Sequence, residues 1–237
     1  MKSTYKRIVL KITGEALGTR GDIFNPDSIK YLVDEVASVQ PLCEIAIVVG
    51  GGNIIRGSEL KERIGATSAV ADYIGMTGTI MNAMLLEDAF KKRGLPAVAV
   101  TSINANALAE PYLFKKVIRH LEDKKIVILA AGTGNAGVTT DTGAILRASD
   151  LEADVVIKGT KVDGVYTKDP KKFPDAKHIP KLSYQDFLVM DLKKILDESA
   201  VAQAKMKNMP IRVFDLFRKG NLKKVLEGKK IGSLISA

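Results

Sequence analysis

Short apolar runs, each followed by a stretch of helical character, leave this chain few folds to choose from. Arg7–Lys11, Glu44–Val49, Ala97–Val100, Lys125–Ala130, Asp154–Lys158 and Ile211–Phe214 are four to six residues long and read as strands. Between them, Pro26–Val39, Ser68–Lys92, Pro111–Glu122, Asp141–Leu151 and Leu192–Asn208 read as helices. This alternation predicts an α/β chain, a three-layer α/β/α sandwich with a mostly parallel central sheet. Across 237 residues there is no repeat, low-complexity tract or Ser/Pro-rich linker, so one domain with at most two lobes is expected.

Local signals agree with this map. Asn25 or Asp27 beside Pro26 can open the first helix, and Gly94 followed by Pro96 closes the long second one. In that helix Tyr73, Met76, Ile80 and Met84 step by three or four and share a face. Such a face packs into the core or against a copy of the chain.

The bulk properties bear on setting and partners. The single cysteine, Cys43, cannot form an internal disulfide and reads as a small buried hydrophobe. Nothing before Tyr5 resembles a signal peptide and the apolar runs are too short to span a membrane, so a cytoplasmic setting is expected. The formal charge is +9, and two stretches account for it. Lys158–Lys181 has seven lysines against Asp163, Asp169 and Asp175; Leu216–Ala237 has six basic residues against Glu227. The excess is either a solvated surface or a lure for phosphates. Tryptophan is absent and aromatics are few, so no stacking platform for nucleic-acid bases is evident.

Open parallel sheets bind ligands at the carboxyl ends of their strands, and here those ends carry the unusual residues. The first strand runs into Lys11-Ile12-Thr13-Gly14, a cation followed by a glycine turn that suits a phosphate. The second ends in Gly50-Gly51-Gly52-Asn53, with Arg56 close enough to offer a charged fork. Three successive glycines are costly unless backbone must approach something closely, although a tight turn alone would also use them. The fourth gives Ala131-Gly132-Thr133-Gly134-Asn135-Ala136-Gly137-Val138-Thr139-Thr140-Asp141, where hydroxyls and N–H groups converge on a helix start. Asp141 either caps that helix or orients Lys11 or the attacking group. After the fifth strand come Thr160, Tyr166 and Asp169; Tyr166 can lie against a flat ring or simply pack in a hairpin.

Known nucleotide signatures are missing. There is no G-x-x-x-x-G-K-[ST] run, no protein-kinase H-R-D or D-F-G element, and no G-x-G-x-x-G fingerprint. His120 and His178 lack Cys or His neighbours at ligand spacing, so no protein metal site is expected and both read as surface residues.

The ordered set YKRIVLKITGEAL (Tyr5–Leu17), VVGGGNIIRG (Val48–Gly57), DYIGM (Asp72–Met76), AGTGNAGVTTD (Ala131–Asp141), ADVVIKGTKVDGVYTKDP (Ala153–Pro170) and PIRVF (Pro210–Phe214) resembles the amino-acid kinase superfamily. Within it, the chain is similar to the bacterial uridylate kinases nearly end to end. The resemblance implies transfer of the ATP γ-phosphoryl group to UMP, in pyrimidine nucleotide biosynthesis. It implies that Lys11, Gly14, Gly52 and Arg56 hold the ATP phosphates beside Ile12 and Thr13, and that Thr160, Tyr166 and Asp169 hold the adenosine end. Gly51, Asp72 and the Thr133–Thr140 stretch would hold UMP. Lys11 and Arg56, with Mg2+ carried in on ATP, would stabilise the moving group while Asp141 organises Lys11. An acceptor lobe over roughly residues 1–150, an ATP lobe over the remainder, a homohexamer and GTP or UTP as effectors are further implications. Relatives have Pro and two aromatics where this chain has Ala136-Gly137-Val138, and Gly18–Ser28 also departs from their glycine-rich pattern. Two rivals remain: a carboxylate acceptor such as acetylglutamate or aspartate, against which Asp72 argues, and a basic nucleic-acid-binding module.

Overall fold

The structure, a computed structural model, describes residues 3–19, 21–190, 192 and 195–237. In chain order its elements begin with β1 (Arg7–Ile12), α1 (Pro26–Ala37), β2 (Glu44–Val49), α2 (Gly57–Ile64), α3 (Ser68–Lys92) and β3 (Ala97–Thr101). Next come β4 (Glu110–Pro111), α4 (Phe114–Glu122), β5 (Ile126–Ala130), α5 (Thr140–Asp150) and β6 (Val155–Thr160). A small hairpin of β7 (Val165–Tyr166) and β8 (His178–Ile179) precedes β9 (Lys181–Ser183), α6 (Tyr184–Val189) and α7 (Glu198–Lys207). The chain finishes with β10 (Ile211–Asp215), α8 (Asn221–Leu226) and β11 (Ser233–Ser236).

All six predicted strands are present and lie in one sheet, ordered β4-β3-β5-β2-β1-β6-β10-β11-β9. β10 and β11 run antiparallel, and the other pairings in this sheet are parallel. The predicted three-layer architecture follows from strand alternation. Ile8, Leu10 and Ile12 face a core shared with α1, α3 and α8. Val9, Val48 and Val156 face a second core shared with α4, α5, α6 and α7. Side chains on both faces of β1 and β2 are buried, which is why these strands read as continuous apolar runs. Cys43 is buried beside them, and burial first, then Glu44, pushes its thiol up to about 12.

Helix starts correct two expectations. The helix expected over 111–122 begins at Phe114, because Tyr112 N–H donates to Thr101 C=O and holds Pro111 in β4. The helix expected over 192–208 begins at Glu198, where the Asp197 carboxylate accepts from Ala200 N–H and caps it; residues 193 and 194 lie outside the described residues. Asp141 is not a cap either. Thr139 caps α5, accepting from Thr142 N–H at 3.1 Å, and Asp141 sits inside the first turn.

The face of α3 is also split. Met76 and Ile80 are buried, whereas Tyr73 is 45% and Met84 38% exposed. At roughly 100° per residue the buried stripe centres on Ala83, Leu86 and Phe90, which puts Tyr73 and Met84 at its edge. Leu86 is fully buried in this stripe, so Leu86→Ala is expected to cost about 2–5 kcal/mol in urea denaturation. A loss below about 1 kcal/mol would mean that α3 packs by a different face.

Candidate active site

Parallel register brings two lysines together. Lys11 in β1 and Lys158 in β6 are direct partners, so their side chains leave the same face of the sheet, under the start of α5. Asp141, in the first turn of α5, meets both. Its Oδ1 is 2.9 Å from Lys11 Nζ, an ion pair without an aligned hydrogen bond, and its Oδ2 accepts from Lys158 Nζ at 2.5 Å. All three side chains are nearly buried, at 8%, 12% and 9% exposed for Lys11, Asp141 and Lys158. Burial, then the Lys11 charge, lower the Lys158 amine to about 8 although Asp141 pulls the other way. Two ammonium groups thus face one shared carboxylate at the ends of the two central strands, with the Asp197 charge also acting on Lys158, and they stand at a helix start, where a phosphate is most stabilised.

On one side of these strands a cavity of about 320 Å³ gathers most of the residues expected at the acceptor. Gly51, Gly52 and Arg56 come from the turn after β2, Asp72 from α3, and Thr133, Asn135, Val138, Thr139 and Thr140 from the loop after β5. Gly134, Ala136 and Gly137 belong to the same loop but do not line the cavity. The turns after β1 and β2 need their glycines: a Cβ on Gly51 would meet Gly75 C=O at 2.8 Å, and one on Gly14 would collide with Asn53 Oδ1. Asp72 accepts from Gly137 N–H at 2.7 Å and lies 3.9 Å from Lys61. Arg56 thus shares a cavity with Asp72, and its guanidinium pairs with Glu15, which also faces Lys161 at 3.7 Å.

A second cavity, about 440 Å³, opens on the other side, beyond β6. Tyr166 and Asp169 line it together with Val162, Phe173, Met190 and Ile195. Tyr166 O–H donates to Asp163 at 2.6 Å, and its ring meets His178 edge-on with centroids 5.2 Å apart. Thr160 does not line this cavity; its hydroxyl contacts Val162 C=O at 2.6 Å and Phe214 C=O at 3.3 Å. A larger groove of about 560 Å³ lies over Ile23, Ile54, Leu60 and Ile64, but neither Lys11 nor Lys158 nor any glycine lines it.

Several participants were not nominated from sequence. Lys158 was visible as one of seven lysines in a basic stretch, yet it alone of the seven is buried. Only register reveals that it faces Lys11. Asp197 joins the N-termini of α5 and α7 by accepting from Thr139, Thr142 and Ser199 hydroxyls at 2.5, 3.0 and 2.6 Å. Burial alone would raise its carboxyl, but those hydrogen bonds and Ala200 N–H hold it below the ordinary range. Asn53 and Asn82 form a buried reciprocal amide pair at 3.1 and 2.8 Å, and Asn82 also donates to Gly50 C=O at 2.7 Å. The histidines are not surface residues: His120 is half-buried against Glu110 at 3.1 Å, and His178 against Ser233 at 3.3 Å.

Comparison with known proteins gives the same picture. Residues 6–215 match the amino acid kinase family. A uridylate kinase from Rubrobacter xylanophilus is 43% identical over 233 residues, covering 97% of this chain and 91% of that one. The crystal structure of UMP kinase from Bacillus anthracis superposes with a TM-score of 0.94 at 36% identity, covering 98% of this chain and 96% of that one. UMP kinase from Ureaplasma parvum superposes with 0.91 at 32% identity over the whole of both chains. With its parallel sheet, its glycine-rich strand ends and its paired lysines, the chain belongs to the amino acid kinase family.

Proposed function

We propose that this protein is a uridylate kinase, transferring the γ-phosphoryl group of ATP to UMP to give UDP and ADP, a step in pyrimidine nucleotide biosynthesis. The observation that carries the reading is the Lys11–Asp141–Lys158 cluster, set on central strands between the turns that lead into the two cavities. UMP occupies the cavity lined by Gly51, Asp72 and Thr139, with Asp72 suited to the ribose hydroxyls and Arg56 to the phosphate side. The adenosine end of ATP occupies the cavity lined by Tyr166 and Asp169, with its phosphates reaching toward Lys11 and Gly14. An acceptor lobe over roughly residues 1–150 and a donor lobe over the remainder fit this division.

An oxygen of the UMP phosphate attacks the γ-phosphorus as the bond to the ADP oxygen breaks. That oxygen is already anionic, so no strong general base is required. The transition state is loose, and positioning and charge neutralisation supply most of the rate. Lys11 and Lys158 neutralise the moving group, and Asp141 holds both in place. Mg2+ enters as part of the Mg-ATP substrate; the carboxylate at the centre of the site, Asp141, is already engaged by two ammonium groups, and the described residues contain no His/Cys/Asp/Glu cluster of metal-holding size. The same reading includes a cytoplasmic setting and GTP or UTP as effectors. No helix among the described residues is long and apolar enough to cross a membrane.

ADP release from Mg-ATP, measured with UMP, CMP, dUMP, AMP, acetylglutamate and aspartate side by side, tests the assignment. Turnover is expected with UMP and to fall by about 10²-fold or more in Lys11→Ala, the cost of one lost transition-state contact. Turnover with a carboxylate acceptor instead would overturn the acceptor while keeping the donor site.

Lys158 sets a pH dependence. An ammonium whose folded pKa is lowered from 10.5 to about 8 is charged below that pH and neutral above it. In the free enzyme, kcat/KM for ATP is therefore expected to fall as pH rises through about 8. Bound triphosphate raises the amine again, so kcat holds to higher pH. A kcat/KM that stays level from about pH 7 to about pH 9 would remove Lys158 from this role.

The homohexamer belongs to the same reading, and the exposed apolar side of α3 supports contact between copies there. Val70, Tyr73, Met81 and Met84 are 52%, 45%, 46% and 38% exposed along it. Light scattering is expected to report an assembly of several chains that dissociates in Tyr73→Asp. A stable wild-type monomer would remove this part of the proposal.

A further inference from the structure

Ala131 leaves β5 with φ 58° and Gly132 follows with φ 52°. Two successive left-handed residues, one carrying a Cβ, make a corner that L-residues rarely hold without outside support. Here the support comes from helices on both faces of the sheet. From α3, Thr79 Oγ1 accepts from Ala131 N–H at 2.7 Å and donates its own proton to Met76 C=O at 2.7 Å. From α5, Arg147 donates to Gly132 C=O through Nε at 3.2 Å and Nη2 at 3.1 Å. Ser102 Oγ donates to the same carbonyl at 2.9 Å and accepts from Arg147 Nη2 at 2.8 Å. The guanidinium is itself fixed, lying 3.7 Å from the Tyr112 ring centroid and donating to Asp150 at 3.0 Å.

Thr79 and Arg147 are both buried. Thr79 lines the cavity beside Asp72, but its only proton is committed to Met76, so it has none to offer a ligand. Neither residue enters the phosphoryl-transfer chemistry. What they hold is the launching point of the Thr133–Thr140 loop. That loop has little slack, since a Cβ on Gly134, at φ 82°, would meet Ser102 C=O at 2.8 Å.

We propose that Thr79 and Arg147 are positioning residues for the acceptor, clamping the left-handed Ala131–Gly132 corner from opposite faces of the sheet and so setting where the Thr133–Thr140 loop meets UMP. The proposal rests on the reading of this cavity as the UMP site. Loss of either clamp loosens the acceptor loop and leaves the donor cavity, built from residues after β6, unchanged.

Steady-state kinetics with UMP and ATP varied separately test it. Thr79→Val keeps the shape but leaves Ala131 N–H buried without a partner, and is expected to raise KM for UMP about tenfold or more. KM for ATP should stay within about twofold. Thr79→Ser restores the acceptor oxygen and should return KM for UMP to near the wild-type value. Adding Ala131→Gly to Thr79→Val should recover part of the loss, because glycine holds the corner unaided. Arg147→Met attacks the clamp from the other face and should give the same split; it decides the matter if Thr79→Val does not fold. A Thr79→Val enzyme with wild-type KM for UMP, or a parallel rise in both KM values, overturns the positioning role. A wild-type enzyme that does not phosphorylate UMP overturns the functional reading itself, a result independent of any variant.

Discussion

The ion cluster of Lys11, Asp141 and Lys158 is the constraint on which the rest of the molecule turns. Two ammonium groups on neighbouring central strands, both almost fully buried, would repel one another and lose their hydration without a shared counter-charge. Asp141 supplies it from the first turn of α5. Removing one partner from a buried cluster of this kind typically costs about 3–5 kcal/mol. Fold and site are therefore one object here, because the interaction that seats α5 on the sheet is also the one that readies two cations for a phosphate. Two ammonium groups share one carboxylate here, with Asp197 the next negative charge that Lys158 feels, and the cluster is nearly buried. Such a site needs little reorganisation when the triphosphate enters.

Around this cluster α3 acts as a spine. Three of its side chains each take a backbone group from a surrounding loop, two from the loop after β5 and one from the turn after β2. Asp72 accepts from Gly137 N–H, Thr79 accepts from Ala131 N–H, and Asn82 donates to Gly50 C=O. The glycines opposite are explained by the same closeness, since a Cβ on Gly51 would strike the helix backbone at Gly75. Loops built this way are irregular in sequence yet rigid in place. Their aim is set by one long helix whose inner face lies in the core and whose outer face carries Tyr73 and Met84.

Much of the fold could be read from sequence because buried parallel strands are short and apolar on both faces, and all six expected strands are present. The elements that escaped notice are those where local pattern is weak. α6 and α8 have six residues each, β4, β7 and β8 two each, and α2 is polar with no buried side chain. At the site, glycine-rich strand ends pointed to the right loops, since a run such as Gly50-Gly51-Gly52 is hard to explain without close backbone approach. Lys158 and Thr79 could not be nominated that way. The importance of Lys158 comes from its register with Lys11, and that of Thr79 from a contact with Ala131 fifty-two residues away. The split face of α3 has a similar cause, because a step of three or four marks neighbours on a helix but does not say which edge of the stripe meets the sheet.

The division of labour between strands and loops also bears on which chemistry is open to change. Lys11 and Lys158 sit on strands hydrogen-bonded on both sides, and neither can shift without disturbing β2 or β10. In the proposed mechanism phosphoryl transfer draws on those cations and is thereby tied to the sheet. On the proposed reading, acceptor identity is instead carried by Asp72 and by a loop in which Ala136, Gly137 and Val138 are small or slender and only Val138 of these three lines the cavity. Even there the latitude is limited, because Asp72 already spends one oxygen on Gly137 N–H and keeps the other 3.9 Å from Lys61. A carboxylate acceptor would have to lie beside that aspartate, whereas a ribose offers it hydroxyl donors. The electrostatics of the cavity thus favour a nucleotide over an amino acid for the same reason that the strand ends favour a phosphate. Each wall presents the charge opposite to, or the hydrogen-bonding partner of, the group it meets.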